Sequence, residues 1–186
     1  SLTLRNFRGY KESTRVDFEN LTAFIGRNDI GKSTILEALD IFFNNGKGII
    51  KIEKSDANIV SSDDTFEISV EFKGFPKELI VDSTVKTTLN DEFLLNLTGN
   101  LEIKKYYKNG ALKNTVIVAN YPNNIEVKEL HSKKIVDLKR IADSLGVDVE
   151  DKRKSSLYRK EILKGLSNKI LEQTEICIDG EGGKQI

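Results

Sequence analysis

A chain of 186 residues and 21.0 kDa, 38% hydrophobic and 31% charged with only two prolines, can bury a core, which excludes disordered and collagen-like designs. Lys and Arg number 29 against 29 Asp and Glu, so the net charge of zero argues against a surface that binds nucleic acid everywhere, while a local patch stays compatible. One cysteine, Cys177, and one histidine, His131, exclude an internal disulfide and count against thiolate or His metal clusters and against Ser-His or Cys-His catalysis.

Leu2, Leu4 and Phe7 form a short apolar segment, and Val16 and Phe18 follow a polar stretch. Two strands are expected at about 1–7 and 11–18, joined by a turn at Arg8-Gly9. Leu21 to Ile25 is an unbroken apolar run that stops at Gly26, the pattern of a strand covered on both faces. After it, Ile35, Leu39, Phe42 and Phe43 recur at the spacing of one helix face, with Asn44, Asn45 and Gly46 as a stop.

Between that strand and that helix lies Gly26-Arg27-Asn28-Asp29-Ile30-Gly31-Lys32-Ser33, which fits the phosphate-binding pattern G-x-x-x-x-G-K-[ST]. Backbone amides from about Asn28 to Lys32 can curl around a β-phosphate, and the helix adds the positive end of its dipole. Gly26 and Gly31 allow angles and approaches that a Cβ forbids. Lys32 can reach the β and γ oxygens, and Ser33 can offer its hydroxyl to Mg²⁺, which prefers hard oxygen ligands. Thr34 is expected near the α-phosphate. The cofactors implied are ATP and Mg²⁺.

Further along, residues 47–64 read as mostly loop, with Asp56 an exposed loop aspartate or, less readily, a metal ligand. Phe66 to Phe72 alternates as a strand with one wet face, and a short helix is expected near Asp91 to Leu97. Leu101–Tyr107 and Leu112–Ala119 flank Asn109-Gly110, the turn signal of a hairpin. These strands would extend the first two into an antiparallel sheet. Ile135, Leu138, Ile141, Ala142 and Leu145 form one helical stripe closed by Gly146. Tyr158, Ile162, Leu166 and Ile170 form a second, interrupted at Gly165. The pair suggests a helical arm, too short for sustained coiled-coil heptads. From Lys128 to Lys169 twelve Lys and Arg face seven Asp and Glu, and Lys152, Arg153, Lys154, Arg159, Lys160 and Lys164 make a face that would suit a phosphate backbone, although such a face is more commonly just solvated. Tyr106 and Tyr107 amid Lys104, Lys105 and Lys108 would either stack on bases or pack on neighbours.

The opening Leu2 to Tyr10 with its Asn6-Phe7-Arg8 tripeptide, Val16-Asp17-Phe18 and the run Leu21 to Ser33 resemble the start of the ABC-type ATPases of the SMC and RecF group. The loop centre Asn28-Asp29-Ile30-Gly31-Lys32-Ser33 is similar to the form frequent in the OLD (overcoming lysogenisation defect) family, with Asp29 departing from the glycine usual in SMC proteins. The likeness covers about residues 1–60. It implies an α/β fold: an ABC-type P-loop ATPase lobe with an antiparallel β-subdomain and an inserted helical arm. The expected division is a lobe at 1–125, an arm at 126–172 and a strand returning to the core at 173–186, the chain being part of something longer.

The resemblance also implies phosphate and Mg²⁺ roles for Gly26, Arg27, Asn28, Asp29, Ile30, Gly31, Lys32, Ser33 and Thr34. Lys32 is the catalytic residue and Ser33 the metal ligand, while Arg5, Asn6 and Arg8 approach the base and ribose or the α-phosphate. OLD proteins join such an ATPase to a C-terminal Toprim nuclease in DNA-processing or anti-phage systems, so DNA, a homodimer or higher oligomer and a partner protein are implied, with no membrane. The short apolar runs and the lack of a basic start before an apolar stretch make the cytoplasm the expected compartment. The nearest candidate for an acidic Mg²⁺-holding strand, Ile176-Cys177-Ile178-Asp179-Gly180-Glu181, lacks an adjacent carboxylate pair, and Gly182-Gly183-Lys184-Gln185 lacks the serine of an ABC signature. The chain by itself is therefore expected to bind ATP and hydrolyse it poorly. The rival readings are a RecF-like or SMC-like repair ATPase and a nucleotide-gated assembly protein that does not hydrolyse.

Overall fold

The computed structural model describes residues 1–27, 31–75, 79–82, 85–124, 127, 129–166 and 171–177. Eight strands occur among them: β1 (Leu2–Arg5), β2 (Thr14–Val16), β3 (Thr65–Phe72), β4 (Leu79–Asp82), β5 (Val85–Thr87), β6 (Leu101–Lys108), β7 (Ala111–Pro122) and β8 (Leu171–Cys177). Three α-helices join them: α1 (Lys32–Asn44), α2 (Ile135–Leu145) and α3 (Ser155–Leu166). The strands form a six-stranded antiparallel sheet in the order β2-β1-β3-β6-β7-β8, and β4 pairs with β5. This is the expected α/β class with its antiparallel sheet.

Two compact units divide the chain, Ser1–Glu71 with Ile103–Thr115 and Phe72–Glu102 with Val116–Ile186. In the first, β1 pairs antiparallel with β2 on one side and with β3 on the other, Leu2 opposite Val16 and Val70. Leu2, Leu4, Phe66 and Ile68 point inward and are buried, as the period-2 pattern requires. Phe7, Phe66 and Tyr107 form the aromatic centre, with ring centroids 5.1 Å apart for the first pair and 4.9 Å for the near-parallel second pair. Tyr107 therefore packs in the core, and the base-stacking alternative is corrected: its ring is fully buried. Asn109 and Gly110 turn the β6–β7 hairpin with φ of 53° and 72°, the left-handed pair that Asn-Gly supplies at least cost.

Helix α1 buries Ile35, Ala38, Ile41 and Phe42 and leaves Leu36 and Phe43 more than half exposed. The inward stripe is thus rotated from the one read in the sequence, which had included Phe43. Lys105 explains part of this. Its ammonium donates to the Phe42 carbonyl at 2.8 Å and to Asn45 Oδ1 at 2.6 Å, and lies 4.6 Å from the Phe42 ring centroid, so β6 ties down the end of the helix. Asn45 takes the left-handed cap at φ 51°.

The run Leu21–Ile25 is not a strand, and Leu21 and Ile25 are 89% and 91% exposed. Strand amides need carbonyls from a neighbour, and among the described residues no strand pairs with this segment. Local contacts shape it instead: the Glu19 amide donates to Thr22 Oγ1 at 3.0 Å, and Phe18 meets Phe24 edge-on at 6.1 Å.

In the second unit, β8 runs antiparallel to the later half of β7, from Leu171 opposite Pro122 to Cys177 opposite Val116. Helix α2 packs against α3 and ends at Gly146, whose amide bonds the Ala142 and Asp143 carbonyls from φ 66°. The helix expected near Asp91–Leu97 is instead a chain of turns, because Phe93 adopts φ 53° and Leu94 bonds back to Leu89. These turns bury Glu92. Arg159 from α3 grips its two oxygens at 2.9 and 3.2 Å, and His131 Nε2 lies 3.2 Å from one of them. Arg159 thereby leaves the basic face assigned to it. On that face Lys160 pairs with Asp91, Lys164 with Glu161, and Arg153 and Lys154 with Asp151. Of the candidate acidic strand, Ile176 and Cys177 end β8, while Ile170, Lys169 and residues 178–186, with its Asp179 and Glu181 and the candidate signature, lie outside the described residues.

Burial pushes the Glu92 carboxyl up, but the hydrogen bonds and charges of His131 and Arg159 outweigh it and hold the group at about 2. Glu92→Ala strands a buried guanidinium and is expected to cost about 3–5 kcal/mol. In the native protein the stabilisation is complete above the ordinary value of 4.5 and is lost as pH falls towards about 2. Urea titrations across that range should show a steeper loss in the native protein than in Glu92→Gln, where only the other carboxyls titrate.

Candidate functional site

The loop from Gly26 to Ser33 enters α1 through Gly31, which caps the helix at φ 91° and ψ 5°, a conformation that glycine adopts without strain. Gly31 carries no capping side chain, and the first turn of α1 holds no acid, so the positive end of the helix dipole is not offset there. Asn28, Asp29 and Ile30 lie outside the described residues. The Lys32 ammonium folds back over its own loop, donating to the Gly26 carbonyl at 2.7 Å and to the Arg27 carbonyl. It has no carboxylate partner among the described residues. Ser33 is exposed at the head of the helix and Thr34 is half-buried beside it.

A second layer comes from the turn after β1. Phe7 and Tyr10 exchange backbone bonds of 2.9 and 2.8 Å, which close the turn around Arg8-Gly9. Arg8 takes φ 47° and its guanidinium reaches Asp56 Oδ1 at 2.8 Å and Glu37 on α1. The Arg8 amide also donates to the Asp56 carbonyl at 2.7 Å. Partial burial works against the charge of Arg8, but the bonds from Glu37 and Asp56 outweigh it and raise its pKa. Asp56 is neither an exposed loop residue nor part of a metal cluster: it is buried, and its other oxygen accepts the Glu53 amide at 2.8 Å in the 3-10 turn Lys54–Asp56. Among the described residues no group of three or more His, Cys, Asp or Glu could hold a metal ion.

The residues that the resemblance assigned to base and ribose go to three different environments. Arg5 is exposed and pairs with Glu67 at 2.9 Å. Asn6 is buried at φ 55°, with its amide nitrogen donating to the Asp63 and Thr65 carbonyls, both at 2.7 Å. Arg8 joins the turn to α1. Sequence reasoning had not singled out Tyr10, Glu37 or Asn58. The Tyr10 hydroxyl lies 3.3 Å from the Gly31 carbonyl, and Asn58 bonds the backbone on both sides of Phe7. Only chain reversal brings these residues to the loop, and nothing in their local spacing announces it.

A lysine at the head of a helix with no side-chain cap is free of carboxylate partners among the described residues, an arrangement that can accept an anion. The model of the AAA ATPase domain family matches residues 1–181, and the chain belongs to that family. Among solved structures, a chain from work on ATP-driven dimerization and DNA-stimulated activation of SMC ATPases is similar at 15% identity, covering 64% of this chain and 67% of that one, with a TM-score of 0.39. No curated protein matches the sequence.

Arg8→Ala leaves the buried Asp56 carboxylate and Glu37 without their cation and should cost about 1–3 kcal/mol in chemical denaturation. Arg5→Ala, whose guanidinium is 62% exposed, should stay within about 0.5 kcal/mol. Equal losses would show that the turn is not anchored through Arg8.

Proposed function

We propose that this ATPase domain binds ATP with Mg²⁺ through Gly26, Arg27, Asn28, Asp29, Ile30, Gly31, Lys32, Ser33 and Thr34. Lys32 carries the reading: its ammonium is partnered by neutral carbonyls of the same loop at the positive end of α1. A triphosphate is a stronger acceptor for that ammonium than a carbonyl, since charge-assisted bonds are about twice as strong as neutral ones. Ser33, exposed at the first turn, fits an oxygen ligand of Mg²⁺, the ion that would neutralise the phosphates. In the same reading Arg5 and Arg8, which pair with Glu67 and with Glu37 and Asp56, would approach the base and ribose or the α-phosphate. Asn6 would act from within the fold, by shaping that segment.

The finer reading is an OLD-type ATPase. Its support is the Asn28-Asp29 form of the loop together with the Asn6-Phe7-Arg8 opening. In that reading 1–125 is the ATPase lobe, 126–172 the helical arm and 173–186 a return to the core. Nucleotide state governs pairing of two or more copies and a Toprim endonuclease beyond this chain that acts on DNA. Lys32 serves catalysis by stabilising charge on the transferred phosphoryl group. The paired basic residues of α3 favour a role for the arm in packing over one in holding DNA.

Lys32→Ala should abolish high-affinity ATP binding in calorimetry while the melting temperature stays within a few degrees, because the exposed ammonium contributes little to stability. Unchanged affinity in a folded variant would remove the site.

A further inference from the structure

We infer that Tyr10 is a positioning residue of the phosphate loop, holding Gly31 in the left-handed conformation that turns the loop into α1. The inference rests on the nucleotide-binding reading of that loop and adds a residue from outside it. The Tyr10 hydroxyl reaches the Gly31 carbonyl at 3.3 Å. That carbonyl also accepts the Ile35 amide at 3.2 Å, the first bond of the helix. A Cβ on Gly31 would stand 2.6 Å from the hydroxyl and 3.1 Å from the ring carbon that bears it. The ring therefore fills the space beside Gly31 and leaves its peptide little room to rotate. Since Gly31 directly precedes Lys32, any rotation there would re-aim the Lys32 amide and the start of its side chain.

Tyr10 can bear this role because its own position is fixed. The Phe7–Tyr10 bridge closes its turn, and Arg8 fastens the turn to Asp56 and to Glu37. Glu37 lies on the same helix that Gly31 caps. The turn thus grips α1 at two points, at the cap through Tyr10 and further along the helix through Arg8. A single contact would allow the helix to pivot; two contacts separated along its axis resist that.

The experiment compares Tyr10→Phe and Tyr10→Ala with the native protein, using ATP calorimetry, thermal melting and amide spectra of protein labelled with ¹⁵N-glycine. Loss of the hydroxyl should weaken ATP about threefold and loss of the ring about tenfold, the range of one hydrogen bond with and without its packing. The Gly31 amide resonance should move in both variants, and Tyr10→Phe should bind ATP about threefold more tightly than Tyr10→Ala. A merely structural tyrosine would lower the melting temperature without moving that resonance or the affinity of the folded fraction, and this result overturns the proposal. If Tyr10→Ala does not fold, Tyr10→Phe decides: native affinity with an unmoved Gly31 resonance overturns it. Native protein that binds no ATP would instead refute the function proposed for the loop.

Discussion

The contact on which the first unit depends is the double ion pair of Arg8 with Asp56 and Glu37. It joins three segments far apart in sequence: the turn after β1, the 3-10 turn at Lys54–Asp56 and helix α1. Asp56 is nearly buried, so its charge is tolerable only because Arg8 and the Glu53 amide satisfy both oxygens. Asn58 adds a second tie to the same turn, donating to the Arg8 carbonyl while its backbone amide bonds the Asn6 carbonyl. Left-handed residues at Asn6 and Arg8 carry a conformational cost, and these long-range bonds are what hold them there.

The second unit solves a similar problem more deeply. Glu92 is fully buried and is matched by Arg159 and His131, themselves at least 95% buried by side chain. A buried pair of this kind adds little net stability over an apolar replacement of the same shape, because desolvation consumes most of the attraction. Its effect is to penalise any arrangement in which one member is left alone. The turns at 88–94 have no regular helix or strand to define them, so a geometrically demanding bidentate grip from α3 fixes what local propensity does not.

That difference marks which parts of the molecule were legible in the sequence. Helix α1, the β6–β7 hairpin and the end of α2 were readable because each has a local cause: a glycine cap, an Asn-Gly turn, an αL Gly146. The loop is proposed as a site because glycine and lysine at fixed spacing have few other uses. Where local pattern and long-range partner disagreed, the partner prevailed. Leu21–Ile25 has the composition of a buried strand, but pairing is a property of two segments, and no strand pairs with it among the described residues. Tyr107 and Arg159 look like surface recognition residues in a basic context, yet one stacks on Phe66 and the other neutralises Glu92. Tyr10 carries no signal at all until the turn brings it to Gly31.

The same ion pair bears on the electrostatics of the proposed site. Glu37 is the first acid along α1 after the loop, and an unpartnered carboxylate there would offset the positive end of the helix and compete for Lys32. Arg8 occupies that carboxylate, so the acid is neutralised by the very residue that fastens the turn. Among the described residues, what remains near the Lys32 ammonium are the carbonyls of Gly26 and Arg27, neutral acceptors that orient it without cancelling its charge. A ligand with concentrated negative charge can take the ammonium from two carbonyls, because its attraction exceeds theirs at the same distance. A neutral ligand cannot. Selectivity for a polyphosphate would then follow from how the surrounding acids are occupied as much as from the loop, and residues distant in sequence would share in setting it.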